Sequence, residues 1–315
     1  MQDNLPMVSI CCITFKHEKY IRECLDGFIM QKTNFPFEVI VHDDASPDKT
    51  ADIIREYEAK YPDIIKPIYQ TENQYSKKIK SLWKHVFPRC RGKYIAICEG
   101  DDFWCDPNKL QIQYDFMEAH PDYSLCMHGR YIIDQFARQY ISVPFYRNFP
   151  ENGMEFAHRT AIGEYFFSTQ TMFIRKSVFD ARHDDIYRDC CNAPMSDLQI
   201  AFHLALAGNI KYMPQRMAVY RRAPGSATNN AKGVRNDFNQ RADNAVINML
   251  NNTGFTQWIP ERRRKRKLDR FCNISKLPLQ ILSSMLDKLC ITPQRLAARK
   301  KYELYEKSKN TSDSQ

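Results

Sequence analysis

Three acidic residues crowd the end of one apolar segment of this 315-residue chain. Tyr94 to Cys98 forms the apolar segment, and Glu99, Asp101 and Asp102 follow within four positions. Carboxylates at this spacing repel one another unless a cation lies between them. Hard divalent ions bind such oxygen ligands, often together with the phosphates of a substrate. The spacing therefore predicts a metal–diphosphate site, with Mg²⁺ or Mn²⁺ as the ion.

A second acidic pair, Asp43 and Asp44, follows Phe37–Val41, which is predicted to be a buried strand. Asp before a helix is often a cap, and we expect a helix here with Ser46 as N-cap and Pro47 as its first residue. Two adjacent acids exceed what a cap needs, which favours a ligand-binding role. The sequence leaves open which of the two acids would contact a ligand.

The first hundred residues alternate between apolar runs and helical patterns, which predicts βαβ units and a mostly parallel sheet. Ligands of such sheets bind at the carboxyl ends of the strands, and both acidic groups fall at such ends. The four predicted strands are Val8–Thr14, Phe37–Val41, Ile64–Tyr69 and Lys93–Cys98.

The second half of the chain has a less regular pattern. We expect a polar loop over 148–163 and a strand over Thr169–Ile174. A helix is predicted over 196–207, because Ser196 and Gln199 have the spacing of a capping box.

Composition limits the class of protein. Hydrophobic residues make up 43% of the chain, and no apolar run reaches the roughly 18 residues of a membrane-spanning helix. The N-terminus lacks the basic and apolar regions of a signal peptide. The 11 cysteines include no CxxC pair and are typical of core residues in a reduced, cytoplasmic protein.

The net charge of +9 belongs to the end of the chain. Residues 261–315 contain 15 Lys and Arg against 6 Asp and Glu, whereas the other 260 residues contain 31 of each. A neutral body argues against nucleic-acid binding and predicts a domain over 1–254 with a basic helical extension over 255–315.

Six consecutive basic residues, 262–267, precede an amphipathic pattern that begins at Pro278. The combination over 261–290 suits an anionic membrane surface, at about 1 kcal/mol per basic residue. This would place the protein peripherally on the cytoplasmic face. The alternative is a helix that packs on the body with a solvated basic flank.

Four segments, spread over Met7 to Ser226, together resemble the inverting glycosyltransferases of family 2, which have the GT-A fold. The resemblance implies an α/β, Rossmann-like fold with a mostly parallel central sheet. The segments appear in the family's order: VSICCITFKHEKYI, FEVIVHDDASPDKT, GKYIAICEGDDFWCDPNKL and MSDLQIAFHLALAGNIKYMPQRMAVYRR.

This resemblance implies roles for the acidic residues. Asp101 would bind the metal, Glu99 would hold the ribose or a metal-bound water, and Asp102 would orient Asp101 or a neighbouring group. Glu99 stands where the family usually has Asp. Contacts to the donor nucleotide would come from Thr14, Phe15 and either Asp43 or Asp44.

The resemblance also assigns Asp197 as the general base, although an acid in a first helical turn is favoured by the helix dipole alone. Arg221 and Arg222 would contact the diphosphate. Many relatives carry a metal-binding His shortly after this point, where the chain has Ala223. The acceptor would lie near Thr169, Gln170 and Thr171.

The predicted function is metal-assisted, inverting transfer of a sugar from a nucleotide-diphosphate sugar to a glycan or lipid-linked acceptor, as in polysaccharide biosynthesis. A sugar nucleotidyltransferase is disfavoured, since its Gly-rich phosphate loop is missing after the first strand. A non-catalytic membrane-surface scaffold with a vestigial fold would be indicated by loss of Asp101 or Asp197, and both are present.

Overall fold

A computed structural model of the chain describes residues 5–134, 139–142, 149–164, 168–222 and 232–274. The strands in these ranges are β1 Val8–Thr14, β2 Phe37–Asp43, β3 Ile65–Tyr69, β4 Tyr94–Ile97, β5 Phe103–Trp104, β6 Tyr123–Asp134, β7 Gln139–Ser142, β8 Phe173–Arg175 and β9 Asn209–Arg222. The α-helices there are α1 Ile21–Ile29, α2 Thr50–Lys60, α3 Lys109–Ala119, α4 Gly153–Ala161, α5 Lys176–Ala181, α6 His183–Cys190, α7 Asp197–Ala205, α8 Lys232–Asn252 and α9 Ile259–Ile274.

All the strands join one sheet in the order β3-β2-β1-β4-β8-β6-β9-β5, and β7 pairs with β6. The first four are parallel, as is the long β6–β9 pair, whereas β8, β7 and β5 pair antiparallel with their neighbours. The predicted α/β, Rossmann-like fold class is confirmed.

Strand β1 lies in the middle of the parallel half and is buried on both faces, which explains its mostly apolar sequence. The buried Ser9 hydroxyl donates to Glu38 of β2 at 2.7 Å. Val8, Ile10 and Cys12 pack into one hydrophobic cluster, whereas Cys11 packs into another on the opposite face of the sheet. Thr14 ends β1 beside Asp43, which ends β2. The carboxyl ends of the two strands therefore meet at one edge.

The prediction that Ser46 and Pro47 begin a helix was wrong, because α2 starts at Thr50. The Ser46 hydroxyl accepts a hydrogen bond from the backbone N–H of Lys16 instead, at 2.9 Å. Asp48 accepts from the backbone N–H of Thr50 at 3.1 Å. The segment between β2 and α2 thus holds the loop after β1, a long-range contact that a capping pattern does not reveal.

The loop predicted over 148–163 was also wrong in part, because this range contains α4. Asn152 caps the helix by accepting from the backbone N–H of Glu155 at 3.0 Å. Phe156 and Thr160 face the core and are fully buried. A single cap and a narrow apolar stripe are therefore enough to form a helix in a polar segment.

The C-terminal part of the chain divides within α9. One compact unit spans Met1–Arg263 and a second spans Arg264–Gln315. Phe255, Trp258 and Ile259 pack against the core of the first unit. The predicted division after residue 254 stays a prediction, and the predicted helix that begins at Pro278 lies outside the described residues.

Arg262, the first of the six consecutive basic residues, is 2% exposed. Its guanidinium donates to Asp243 at 2.7 Å and to the carbonyl oxygen of Ala161. This arginine therefore belongs to the body of the first unit and adds no charge to a solvated surface. Across the described ranges, none of the helices has the length and apolar character needed to cross a bilayer.

Candidate active site

The turn between β4 and β5 brings the three predicted acids together. One oxygen each from Glu99, Asp101 and Asp102 lies within 4.8 Å of the others. Glu99 and Asp101 are partly exposed, and Asp102 is buried. Such a set of hard oxygen ligands at a strand end matches the preference of Mg²⁺ and Mn²⁺.

Electrostatics also fit a cation at this turn. Burial, followed by the charges of Asp101 and Asp197, raises the pKa of Glu99 to about 8. Burial, followed by the charges of Asp101 and Glu99, raises the pKa of Asp102, and the contact with Arg221 opposes that shift. Because the cluster resists full ionisation by itself, a bound divalent cation would stabilise its anionic form.

Arg221, near the end of β9, holds this turn in place. Its backbone N–H donates to Asp102 at 2.7 Å, and its guanidinium donates to the carbonyl oxygen of Asp101 at 2.8 Å. The guanidinium also pairs with Glu23 of α1 at 2.5 Å. The sequence analysis missed Glu23 because this contact joins residues 198 positions apart. Arg221 thus positions the acidic turn and is already paired.

Asp43 and Asp44 have different environments. Asp44 is 6% exposed, and its carboxylate accepts from the backbone N–H groups of Gln74 at 2.7 Å and Tyr75 at 3.0 Å, and from the side chain of Asn73 at 3.0 Å. Asp44 therefore fixes the loop after β3.

Asp43 is as deeply buried as its neighbour but has an unused oxygen. One carboxylate oxygen accepts from the backbone N–H of Ser46 at 3.2 Å, and Oδ1 has no partner among the described residues. Burial raises the pKa of Asp43. The geometry therefore favours Asp43 as the acid available to a ligand.

Two further predicted residues lie at the end of β1, where Thr14 pairs with Asp43 of β2. The Thr14 hydroxyl is buried and has no partner in the described part of the chain, and Phe15 is 36% exposed at the rim. A Cβ atom on Gly100 would come within 2.8 Å of the Thr14 hydroxyl oxygen. Only glycine leaves room between the acidic turn and the end of β1.

Asp197 is the first residue of α7, as predicted, and the charge coupling to Glu99 places it near the acidic turn. The Ser196 side chain makes no cap, so the predicted capping box is absent here; the Asp197 carboxylate instead accepts from the backbone N–H of Leu198 at 2.9 Å. Burial raises the pKa of Asp197 to about 6, whereas the Leu198 N–H and the charge of Arg130 lower it.

The residues predicted to face an acceptor form a 3₁₀ turn, Thr169–Thr171, and the strand begins only at Phe173. Gln170 and Thr171 are fully buried, whereas Thr169 is partly exposed. Neither amide atom of the Gln170 side chain has a partner among the described residues. Arg222 ends β9 and is partly exposed, and Ala223 lies outside the described residues.

Comparison with known proteins identifies related sequences. The sequence model of glycosyl transferase family 2 matches residues 9–182. An uncharacterized protein of Mycobacterium tuberculosis is 36% identical over 218 residues, which cover 68% of this chain and 58% of that protein. The chain therefore spans somewhat more than half the length of this relative.

Two solved structures are similar in fold. The structure of S. aureus TarS residues 1–349 in complex with UDP-GlcNAc has a TM-score of 0.60 at 18% identity, covering 87% of this chain and 76% of that one. The mannosyltransferase PcManGT from Pyrobaculum calidifontis, in complex with GDP-Man and Mn²⁺, has a TM-score of 0.52 at 15% identity, covering 99% and 88%. At these identities the likeness establishes the fold alone.

The unequal environments of the acidic pair predict unequal effects on stability. Asp44→Ala leaves two backbone N–H groups without their acceptor, so we expect a loss of about 2 kcal/mol or more in the free energy of unfolding. Asp43→Ala removes a buried carboxyl with one unused oxygen and should change stability by less than about 1 kcal/mol. Urea unfolding of both variants measures this; equal losses would contradict the distinction.

Proposed function

Because the chain belongs to glycosyl transferase family 2, we propose that it transfers a sugar, with inversion, from a nucleoside-diphosphate sugar to a glycan or lipid-linked acceptor. The observation that carries this proposal is the acidic turn, Glu99 to Asp102, at the end of β4, together with Asp197 at the start of α7, whose charge acts on Glu99. The acidic turn, with a bound cation, suits a charged leaving group, and the Asp197 carboxylate suits an acceptor hydroxyl.

Donor binding is supported by unused polar atoms. Thr14 Oγ1 and Asp43 Oδ1 are buried without partners in the described ranges, so a ligand that hydrogen-bonds them relieves their desolvation. Phe15 is 36% exposed and offers an aromatic ring on which a nucleobase could stack. The complexes of TarS with UDP-GlcNAc and of PcManGT with GDP-Man support a nucleotide sugar as the donor class.

A divalent ion fits the acidic turn, and the PcManGT complex contains Mn²⁺. Asp101, whose carboxylate is partly exposed, would hold the ion, and Glu99 would bind the ribose or a metal-bound water. Asp102 is engaged by Arg221 and would keep the turn in shape. When bound, the ion supplies neutralisation of the diphosphate charge as that group leaves.

Asp197 would serve as the general base. In a single displacement the acceptor oxygen bonds to the anomeric carbon while the bond from that carbon to the diphosphate oxygen breaks. The hydroxyl proton passes to the Asp197 carboxylate, and the nucleoside diphosphate departs with the bonding electrons. A pKa of about 6 leaves this carboxylate ionised at neutral pH and more basic than an ordinary Asp.

The acceptor and the diphosphate would use residues at the border of the site. Thr169 is the partly exposed member of the 3₁₀ turn, and Gln170 has unused amide groups behind it. Arg222 is the arginine proposed to meet the diphosphate, since the guanidinium of Arg221 is paired with Glu23. A lipid-linked acceptor gives a reason for cytoplasmic-face membrane association through the basic segment after Arg262.

The metal assignment predicts the effect of Asp101→Asn. Losing one anionic ligand should abolish the Mn²⁺-dependent part of nucleoside-diphosphate binding and greatly reduce transfer, with the fold intact. Calorimetric titration with and without EDTA measures the first effect. Asp115→Asn, an exposed acid on α3, is the matched control. Undiminished metal-dependent binding in Asp101→Asn would contradict the assignment.

The base assignment predicts a pH dependence. Since the carboxylate accepts the proton only when ionised, the rate with bound donor should fall as the pH drops through about 6. Asp197→Asn should lower this rate by about 10² or more and remove that acid limb, while donor binding stays near normal. Asp184→Asn changes an exposed acid in the first turn of α6 and should leave the profile unchanged. An unaltered limb in Asp197→Asn would exclude Asp197 as the base.

The membrane assignment depends on the exposed Lys and Arg side chains of the basic segment, residues 262–267. Replacing Arg263, Arg264 and Lys267 with Gln should weaken binding to anionic phospholipid vesicles by roughly 100-fold at low salt, at about 1 kcal/mol per residue. The control replaces Lys49, Lys60 and Lys66 with Gln, which removes the same three charges from exposed positions outside the basic segment. Sedimentation with the vesicles measures both; equal binding by the two variants would reject the assignment.

A further inference from the structure

His17 presents a ring nitrogen that the proposed reaction does not use. Its backbone N–H donates to the Thr50 hydroxyl at 2.9 Å, and its carbonyl oxygen accepts from the N–H groups of Tyr20 and Ile21 at 2.8 Å. The backbone of His17 is therefore fixed between β1 and α1. Nδ1 of its imidazole is buried and has no partner within the described residues.

The position of this nitrogen relates it to the donor site. A Cβ atom on Gly100 would come within 3.0 Å of His17 Nδ1 and within 2.8 Å of Thr14 Oγ1, so both atoms face the same backbone position. The charges of Asp101 and Asp43 both act on the imidazole. The unpartnered atoms of Thr14 and His17 thus lie at one end of the acidic turn, and Asp43, which has a third such atom, pairs with Thr14 across the two strand ends.

The chemistry of these atoms selects a kind of ligand. Leaving a buried polar atom unpaired costs about 1–3 kcal/mol, so three in one place favour a ligand with several hydrogen-bonding groups. Burial lowers the pKa of His17 more than the nearby carboxylates raise it, which keeps the ring neutral. A neutral ring beside carboxylates suits hydroxyl groups better than phosphate, because a hydroxyl both donates and accepts.

We propose that His17, through Nδ1, hydrogen-bonds a ribose hydroxyl of the bound nucleotide and helps the site select ribonucleotides; this inference rests on the proposed function. The ribose would lie between Asp43, at the end of β2, and Asp101, next to the diphosphate. The edge-on contact of the His17 ring with Tyr20, at 6.3 Å between centroids, fixes the ring and leaves the nitrogen available.

The test compares UDP and GDP with their 2′-deoxy and 3′-deoxy analogues by calorimetry in the presence of Mn²⁺. For whichever base the full chain binds, removing the contacted hydroxyl should weaken binding about three- to tenfold. His17→Ala should weaken the ribonucleotide by a similar factor and then be insensitive to loss of that hydroxyl. This non-additivity is the signature of a direct contact.

Two further variants separate contact from packing. His17→Asn carries an amide at the position of Nδ1 and should restore the preference for the ribonucleotide, whereas His17→Phe keeps a ring without it and should not. His120→Ala, an exposed histidine after α3, is the control and should behave as the parent. A His17→Ala variant that weakens all three nucleotides equally, or none, would overturn the inference. A parent chain that binds neither UDP nor GDP would reject the proposed function itself.

Discussion

Repulsion among carboxylates at the end of β4 is the constraint around which the surrounding elements are arranged. The pKa of Glu99 rises to about 8 and that of Asp102 also rises, so the turn would not stay anionic without compensation. Arg221 supplies part of it from the far end of β9 and ties α1 to the same turn through Glu23. The acidic turn, α1 and the end of β9 are therefore held together at this edge by the hydrogen bonds of one arginine.

The parallel half of the sheet was predictable because each of its strands can be recognised from its own residues, without knowledge of distant contacts. A strand buried on both faces must be mostly apolar, and the segments Val8–Thr14 and Phe37–Val41 are. Their buried polar residues, Ser9 and Glu38, are hydrogen-bonded to each other. The position of the acidic residues followed from the same rule, since a parallel sheet gathers the carboxyl ends of its strands at one edge. Convergence of Asp197 with that edge depended on the family resemblance rather than on spacing.

The rest depends on partners far away in sequence. Asp43 and Asp44 are neighbours of the same type, and only the loop after β3 distinguishes them, because it supplies the donors that occupy Asp44. The start of α2 shifted from Ser46 to Thr50 because Ser46 bonds the loop after β1. In each case the outcome depends on a contact between residues 30 positions apart, which the local pattern does not show.

The carboxylate of Asp44 has a consequence for the thermodynamics of ligand capture. A loop that must be ordered on binding subtracts its lost conformational freedom from the affinity. Here the segment from Asn73 to Tyr75 is already fastened to a buried acid, so that entropy was lost when the chain folded. The rim beside β2 is therefore ordered before a ligand arrives, and a ligand that contacts it loses no affinity to the ordering of this segment.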